Sequence, residues 1–369
     1  MTDRKPFLDG LRGWAALVVV AYHATHCFAI APAADSAAVL RFLSNGPLAV
    51  YIFFVLSGFA LSTGFIERGD RGIILAQALR RYPRLTVPIL ASSALAALLM
   101  ASGLMFNIPA AALAGSQDWL GIHYAFAPDL PGLLAFSLFN VYFDGDAPIN
   151  YNAVLWTMPI ELAGSMIVFA SLFLAGRARW RPLLILGLVP VFVALSSHQT
   201  AFAFGILLAE AYARPWFRRW RGSAAAGAVA VAAVGLAFAM ATTRGAAFTS
   251  APAMSVIALL IVFAVVACRT LAGLFETPLS CWLGRLSFPV YLTHLIVICS
   301  FSSWCYLELS ALGVGGGIGA GFTAAITFAA SLAAATLFEP VERLAVTLAR
   351  QVSDLALSGS RPATDRAVR

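Results

Sequence analysis

The sequence predicts an all-α fold, a polytopic membrane bundle of about ten transmembrane helices with both termini in the cytoplasm. Of its 369 residues, 61% are hydrophobic and only 11% are charged, and the mean hydropathy is +0.86. A soluble domain needs a larger charged surface than this composition supplies. Apolar runs of about 20 residues, the length that crosses a roughly 30 Å hydrocarbon core, also recur along the chain.

Ten apolar runs are predicted to cross the membrane. The first, from Trp14 to Ala31, carries two histidines and is followed by many similar runs, so we interpret it as a retained span and not as a cleaved signal peptide. The fifth and sixth runs are short. The predicted spans cover residues 13–31, 47–66, 85–105, 152–175, 182–196, 200–213, 224–242, 252–268, 286–306 and 316–337.

The basic residues predict the orientation. With the N-terminus inside, 22 of the 24 Lys and Arg residues fall in cytoplasmic segments, and only Arg41 and Arg244 lie outside. This asymmetry follows the positive-inside rule. Because the net charge of +7 is spread over many loops, it does not indicate nucleic-acid binding. One Lys against 23 Arg is typical of a GC-rich bacterial genome, so we expect a multi-pass protein of the bacterial inner membrane.

We divide the chain into a transmembrane domain over residues 1–345 and a cytoplasmic tail over residues 346–369. Apolar residues recur at helical spacing after Glu339, which predicts an amphipathic helix at the membrane interface, and the chain beyond Ser358 is predicted to be disordered. The longest external segment, 106–151, contains several Asp residues but no Lys or Arg. Its stretch LPGLLAFSLFNVYF is too short to span a membrane.

Two features of the sequence argue against bound metals and nucleotides. The five cysteines occur singly, and no Cys/His cluster has the spacing of metal ligands, so we expect no disulfide framework and no metal. The stretch GVGGGIGAG at 313–321 opens a span, with no strand before it. It therefore indicates close helix packing and not a nucleotide-binding loop.

Ionisable residues inside spans are candidate site residues, because charged types cost about 2.5 to 3.5 kcal/mol there and usually face a cavity or each other. Arg12 and His23 are eleven residues apart, about 16 Å along a helix, and eleven steps of about 100° bring both to one face. This predicts a polar path from the cytoplasm to His23. A neutral imidazole bonded to a neighbouring helix is the alternative for His23 and the preferred interpretation for His26.

Glu161 and His294 are the other two residues that the sequence singles out inside the predicted spans. Glu161 lies about nine residues into its span, at a depth where it could meet His23, and Pro159 is expected to kink the helix beside it. A structural ion pair or a proton relay remains open for Glu161. His294 is interpreted either as a site residue or as a hydrogen-bonded packing histidine.

These residues together predict acyl transfer. A histidine near a carboxylate is a general-base arrangement. Arg80, Arg81 and Arg84 lie at the predicted inner mouth, and guanidinium groups suit phosphates, although such clusters also serve only to fix topology or contact anionic lipid. An acyl-CoA fits this geometry, with its phosphates at the mouth and its thioester near the base.

The order of motifs resembles the acyltransferase 3 family of membrane O-acyltransferases. FLDGLRGWAALVVVAYH is similar to that family's opening motif, an Arg, ten residues and a His, which here are Arg12 and His23. Further segments between residues 7 and 344 resemble family blocks in the same order: VYIFFVLSGFALS, RRYPRLTVP, LWTMPIEL, LSFPVYLTH and LFEPVERL.

The resemblance implies an integral membrane enzyme that moves acetyl or another short acyl group from acyl-CoA, a cosubstrate and not a permanently bound cofactor. The implied acceptor is a hydroxyl of a carbohydrate or glycolipid, such as surface polysaccharide or lipopolysaccharide, with polysaccharide-biosynthesis proteins as further partners. The implied roles are His23 as catalytic base, Glu161 as a supporting catalytic residue, Arg12, Arg81 and Arg84 as donor-binding residues, and His294, Tyr291, Trp156 and Asp9 as further site candidates.

Two alternative functions are compatible with the sequence. Intramembrane His and Glu residues also form proton relays, so a proton-coupled transporter is one alternative. A non-catalytic protein of polysaccharide export or assembly is the other. The sequence departs from the family pattern after Trp156 and after Ser287, which bears on Glu161 and His294 more than on His23.

Overall fold

The computed structural model describes residues 5–30, 37–144, 150–243 and 245–358, and within these ranges the regular structure is helical. Its α-helices are α1 (Pro6–Cys27), α2 (Ala37–Leu43), α3 (Gly46–Arg68), α4 (Arg71–Ala101), α5 (Asn107–Ala114), α6 (Leu130–Ala135), α7 (Val141–Phe143), α8 (Met158–Ala175), α9 (Arg181–Ala194), α10 (Gln199–Ala213), α11 (Pro215–Trp220), α12 (Ala224–Thr242), α13 (Ala246–Thr249), α14 (Ala251–Ala267), α15 (Arg269–Phe275), α16 (Pro278–Val297), α17 (Ser303–Ala311) and α18 (Gly316–Ser358). A 3₁₀ turn precedes α8 at Ala153–Thr157, and π-helical turns join α6 to α7 and α16 to α17.

The described helices confirm a helical membrane protein. Six helical segments are long and apolar enough to cross a membrane, and a seventh is reached if α14 and α15, bent by 100° at their junction, form one span. Helix is present at each of the ten predicted positions, but α9 and α10 have 14 and 15 residues and are shorter than a usual span. The count of ten and the orientation of the termini therefore stay predictions. Arg244 lies outside the described residues.

Glycines bring α1 and α16 into backbone contact. A Cβ atom on Gly13 would lie 2.5 Å from the carbonyl carbon of Leu283, and one on Gly284 would lie 2.4 Å from the carbonyl oxygen of Asp9. Small residues allow such close crossing of helices in a membrane. This crossing places the C-terminal half of α1 beside the C-terminal half of α16.

Helices α4 and α18 are the longest of the described helices, with 31 and 43 residues, and they pack against each other. Arg80 of α4 donates from Nε to Ser353 Oγ at 2.6 Å and pairs with Asp354 at 3.2 Å. The predicted tail helix is therefore present and continuous with the last span. Its apolar residues point away from the protein, since Leu344 is 52% and Leu355 is 74% exposed.

The segment that follows α4 is bonded to the turn after α16. Phe106 N donates to Cys299 O at 2.9 Å, a carbonyl in the π-helical turn after α16. Such a turn interrupts the usual α-helical pairing. The stretch predicted to be too short to span forms an apolar helical segment, Leu130–Phe143, that is indeed below spanning length.

Candidate functional site

Two cavities lie on either side of a shared wall. The first, of about 270 Å³, we name the arginine cavity, and the second, of about 230 Å³, the histidine cavity. Val50 and Tyr291 line both and form the wall. The arginine cavity is lined by Arg12, Val50, Phe53, Phe54, Ser57, Ala60, Leu61, Gln77, Arg81, Arg84, Leu85, Thr157, Met158, Glu161, Ser287, Phe288, Tyr291 and Glu342. The histidine cavity is lined by Val19, Tyr22, His23, Gly46, Pro47, Val50, Trp119, His123, Ala153, Val154, Trp156, Tyr291 and Leu295.

A buried ion pair forms the centre of the arginine cavity. Arg81 Nη2 of α4 pairs with Glu161 Oε1 of α8, and their side chains are 10% and 14% exposed. The same carboxylate oxygen accepts a hydrogen bond from Ser57 Oγ of α3 at 2.7 Å. Three helices are thus joined at one carboxylate. A charge-assisted pair of this kind is strong where water is scarce, and losing one partner would leave an isolated buried charge.

Glu161 is the ninth residue of the apolar helical segment Ala153–Ala175, so its place along the span is the predicted one. Helix α8 begins at Met158 after the 3₁₀ turn, so Glu161 lies in its first turn, where the helix dipole favours a carboxylate. Pro159 also lies in this first turn. There its missing N–H removes no helical hydrogen bond, so the predicted kink beside Glu161 is wrong.

The other charges of the arginine cavity leave it with one more cation than anion. Arg84 and Glu342 pair at 3.7 Å, and Arg12 forms no ion pair within the described residues. Gln77 Oε1 and Arg81 Nε are buried and lack a hydrogen-bond partner among the described residues. The lining therefore offers a cation and several polar atoms to an anionic, amide-containing ligand.

His23 and His294 form the polar centre of the histidine cavity. Nδ1 of His294 lies 2.9 Å from Val290 O, which only accepts, so Nδ1 carries the proton and Nε2 accepts. Nε2 of His294 lies 3.2 Å from Nδ1 of His23, whose proton is shared with Val19 O at 3.0 Å. This assignment of protons leaves Nε2 of His23 with a free lone pair. His294 is fully buried and does not line the cavity.

The prediction that Glu161 meets His23 is wrong, because the Glu161 carboxylate is held by Arg81 and Ser57 in the arginine cavity. The partner of His23 is His294. Arg12 and His23 line different cavities, which adjoin at Val50 and Tyr291, and both lie on the predicted side of α1. A single polar path from Arg12 to His23 stays a prediction.

Tyr291 holds the wall in place through its hydroxyl. That group hydrogen-bonds with Thr157 Oγ1 at 2.7 Å and donates to Val154 O. Its ring stacks on Phe288 with an interplanar angle of 9° and a centroid distance of 6.5 Å. Tyr291 thus connects α16 with the 3₁₀ turn before α8 and separates the two cavities.

The remaining predicted residues divide between the two cavities and the periphery. Trp156 lines the histidine cavity. Asp9 lines neither cavity, but it lies one turn before Arg12 and attracts its guanidinium electrostatically. His26 is exposed and packs on Tyr22 at a centroid distance of 4.2 Å. Its Nδ1 lies 2.7 Å from Tyr22 O, so this nitrogen bonds within its own helix and not to a neighbouring helix, as its preferred interpretation had it.

Several cavity residues were not singled out from the sequence. Ser57 lies within a quoted motif, and a Ser deep in an apolar span is a usable signal for a polar contact. Glu342 likewise lies within a quoted motif, LFEPVERL. Trp119 had no signal, because a Trp in an external loop usually indicates only the membrane interface. Within the described residues, no group of three or more His, Cys, Asp or Glu is placed to hold a metal ion.

Comparison with known protein families matches residues 5–338 to the acyltransferase 3 family, described as an acyltransferase domain. The match covers nearly the whole chain. Comparisons with curated proteins and with solved structures find no match.

Proposed function

Because the chain belongs to the acyltransferase 3 family, we propose that it is a membrane O-acyltransferase that moves a short acyl group, acetyl foremost, from acyl-CoA to a carbohydrate or glycolipid hydroxyl. The family supplies the acyltransferase activity. The observation that carries the finer proposal is the pair of cavities, one lined by three arginines and the other by a histidine with a free Nε2, on opposite sides of a single wall.

The arginine cavity suits the donor. Arg12, Arg81 and Arg84 present guanidinium groups to phosphates, and the buried polar atoms of Gln77 suit the amides of the pantetheine arm. Arg12 lies near the N-terminal end of α1. If that end is cytoplasmic as predicted, the cavity faces the compartment in which acyl-CoA is made, and the protein belongs to the bacterial inner membrane.

The histidine cavity suits the reacting hydroxyl. For this reaction the thioester end of the donor reaches past Val50 and Tyr291, which the two cavities share, into the histidine cavity. There His23 Nε2 accepts the hydroxyl proton while the acceptor oxygen attacks the thioester carbonyl carbon. The new C–O bond forms, the C–S bond breaks, and the departing thiolate takes the proton from the imidazolium. His294 accepts a hydrogen bond from Nδ1 of His23 and so keeps the lone pair on Nε2.

The experiment measures release of free CoA by the purified protein in lipid nanodiscs. Acetyl-CoA is supplied with lipid and glycan extract from a deletion strain, and mass spectrometry follows acyl groups on the products. His23→Ala should reduce transfer about 10²- to 10⁴-fold, the range attributed to general acid–base catalysis. His26→Ala is the matched control on the same helix, because His26 lines neither cavity, and it should keep most of the activity.

Two outcomes would contradict the proposal. If wild-type protein releases no CoA but drives uptake of a solute coupled to a proton gradient, the His23–His294 pair is a proton relay of a transporter. If His23→Ala transfers acyl groups as fast as wild type, His23 is not the base and an assembly role becomes the better account.

A further inference from the structure

The far side of the histidine cavity is formed by an external loop outside all the sequence motifs. Trp119 and His123 are the two residues of this loop that line the cavity. The Trp119 ring lies 6.2 Å from that of His23 and 5.5 Å from that of Tyr22, measured between centroids. Trp156, from the turn before α8, lines the same cavity and is 52% exposed. Three large aromatic side chains thus surround the space in front of Nε2 of His23.

This loop is held to the end of α1 by buried hydrogen bonds. Ser116 Oγ donates to Cys27 O at 2.5 Å. The Asn107 amide, 1% exposed, donates from Nδ2 to Leu120 O at 3.0 Å and to His123 O at 2.7 Å. These contacts fix the loop on both sides of Trp119. The indole is therefore positioned relative to His23 before any ligand binds, which lowers the entropy cost of binding.

The chemistry of the lining indicates an uncharged ligand. None of the residues that line the histidine cavity is Asp, Glu, Lys or Arg. The acidic residue of this loop, Asp118, is exposed and does not face the cavity. Burial lowers the pKa of His123, so its imidazole is neutral at pH 7 and can hydrogen-bond with a hydroxyl. Aromatic faces pack on the apolar face of a ring, and neutral imidazoles bind its hydroxyls.

The size of the cavity indicates a single ring. Its volume of about 230 Å³ is below the roughly 300 Å³ at which sites for drug-sized ligands begin. The exposed side of Trp156 leaves a path by which a longer chain could continue outward. The cavity thus fits one reacting ring of a larger molecule.

We propose that the histidine cavity binds one uncharged sugar ring, stacked on the indole of Trp119, with a ring hydroxyl directed at Nε2 of His23. The identity of that sugar as the acyl acceptor rests on the proposed function; the sugar site itself does not. On this account the loop that carries Trp119 determines which acceptors react, and the acidic residues of segment 106–151 do not.

The test is saturation-transfer NMR on the full chain in nanodiscs without acyl-CoA. The probes are the methyl glycosides of glucose, galactose, mannose, rhamnose and N-acetylglucosamine. Glucuronate, glucosamine and the open-chain alditol sorbitol are comparators. One or more neutral glycosides should bind in competition with each other, and Trp119→Ala should weaken that binding about tenfold, while Trp119→Phe keeps part of it. Trp304→Ala is the control, because Trp304 is 43% exposed and lines neither cavity.

The proposal is overturned if no neutral glycoside binds, if Trp119→Ala binds the glycoside as tightly as wild type does, or if the charged sugars or sorbitol bind equally well. Acetyl-CoA binding by Trp119→Ala, equal to that of wild type, would show that the variant is folded. Binding of a neutral glycoside by wild-type protein that never releases CoA from acetyl-CoA supports this sugar site and contradicts the proposed acyl transfer.

Discussion

The arginine cavity and the histidine cavity share a wall, but they differ in the charge of the side chains that line them. The first is lined by three arginines and two glutamates joined in ion pairs. The second has no Asp, Glu, Lys or Arg in its lining, which instead contains two histidines, His23 and His123, and four aromatic side chains. The ion pairs of the arginine cavity stabilise the fold as well as a bound ligand. The neutral base and the stacked rings of the histidine cavity act on the substrate without also stabilising the fold. Substitutions in the arginine cavity should therefore change ligand binding and stability. Substitutions in the histidine cavity should change turnover.

The largest expected effect on stability is at Glu161. Glu161→Ala leaves the Arg81 guanidinium buried without a partner, which costs about 3 to 5 kcal/mol for a broken buried pair, and should lower the thermal unfolding midpoint in detergent. Glu161→Gln keeps the side-chain shape and an acceptor for Ser57, so it should lower the midpoint less.

Glu210 supplies the matched control for this prediction. It forms a buried pair with Arg181, at 6% and 10% side-chain exposure, that lines neither cavity. Glu210→Ala should lower the unfolding midpoint as Glu161→Ala does but leave acyl-CoA affinity unchanged. An unfolding midpoint for Glu161→Ala equal to that of wild type would mean that the pair in the arginine cavity does not stabilise the protein.

A smaller and purely kinetic effect is expected at His294, which we assign as a positioning residue. His294→Leu removes one of the two acceptors of the Nδ1 proton of His23 and leaves only Val19 O, and kcat should fall about 10- to 100-fold, as when partners of metal-bound histidines are removed. His294→Gln offers an amide oxygen in its place and should recover part of kcat. KM for acyl-CoA should not move in either variant. A rise in KM with kcat intact would show that His294 shapes a binding site instead.

The sequence was sufficient for the features that repeat along the chain. Apolar runs predicted helix at each of the ten positions, and helical phase placed Arg12 and His23 on the cavity side of α1. The motif order identified the family. These features depend on local periodicity or short spacing, which a single sequence records directly.

The features that the sequence could not predict are contacts between side chains from different parts of the bundle. Tyr291 separates the cavities because its hydroxyl reaches Thr157 and Val154, residues that are more than 130 positions away. Glu161 pairs with Arg81, 80 positions away, and not with His23. Trp119 reaches the base because the loop that carries it folds back onto the end of α1. Such contacts depend on how the helices cross and how the loops close. Hydrophobic periodicity does not predict them.

We assign donor binding to the arginine cavity and the base to the histidine cavity. Equilibrium binding of a non-reactive thioether analogue of acetyl-CoA to the protein in nanodiscs tests this assignment most directly. Arg12→Gln should weaken binding roughly 10- to 150-fold, because a hydrogen bond to a charged group contributes about 1.5 to 3 kcal/mol. His23→Ala should bind the analogue as tightly as wild type does. If His23→Ala instead loses affinity while Arg12→Gln retains it, the donor lies in the histidine cavity and the assignment of the two cavities is reversed.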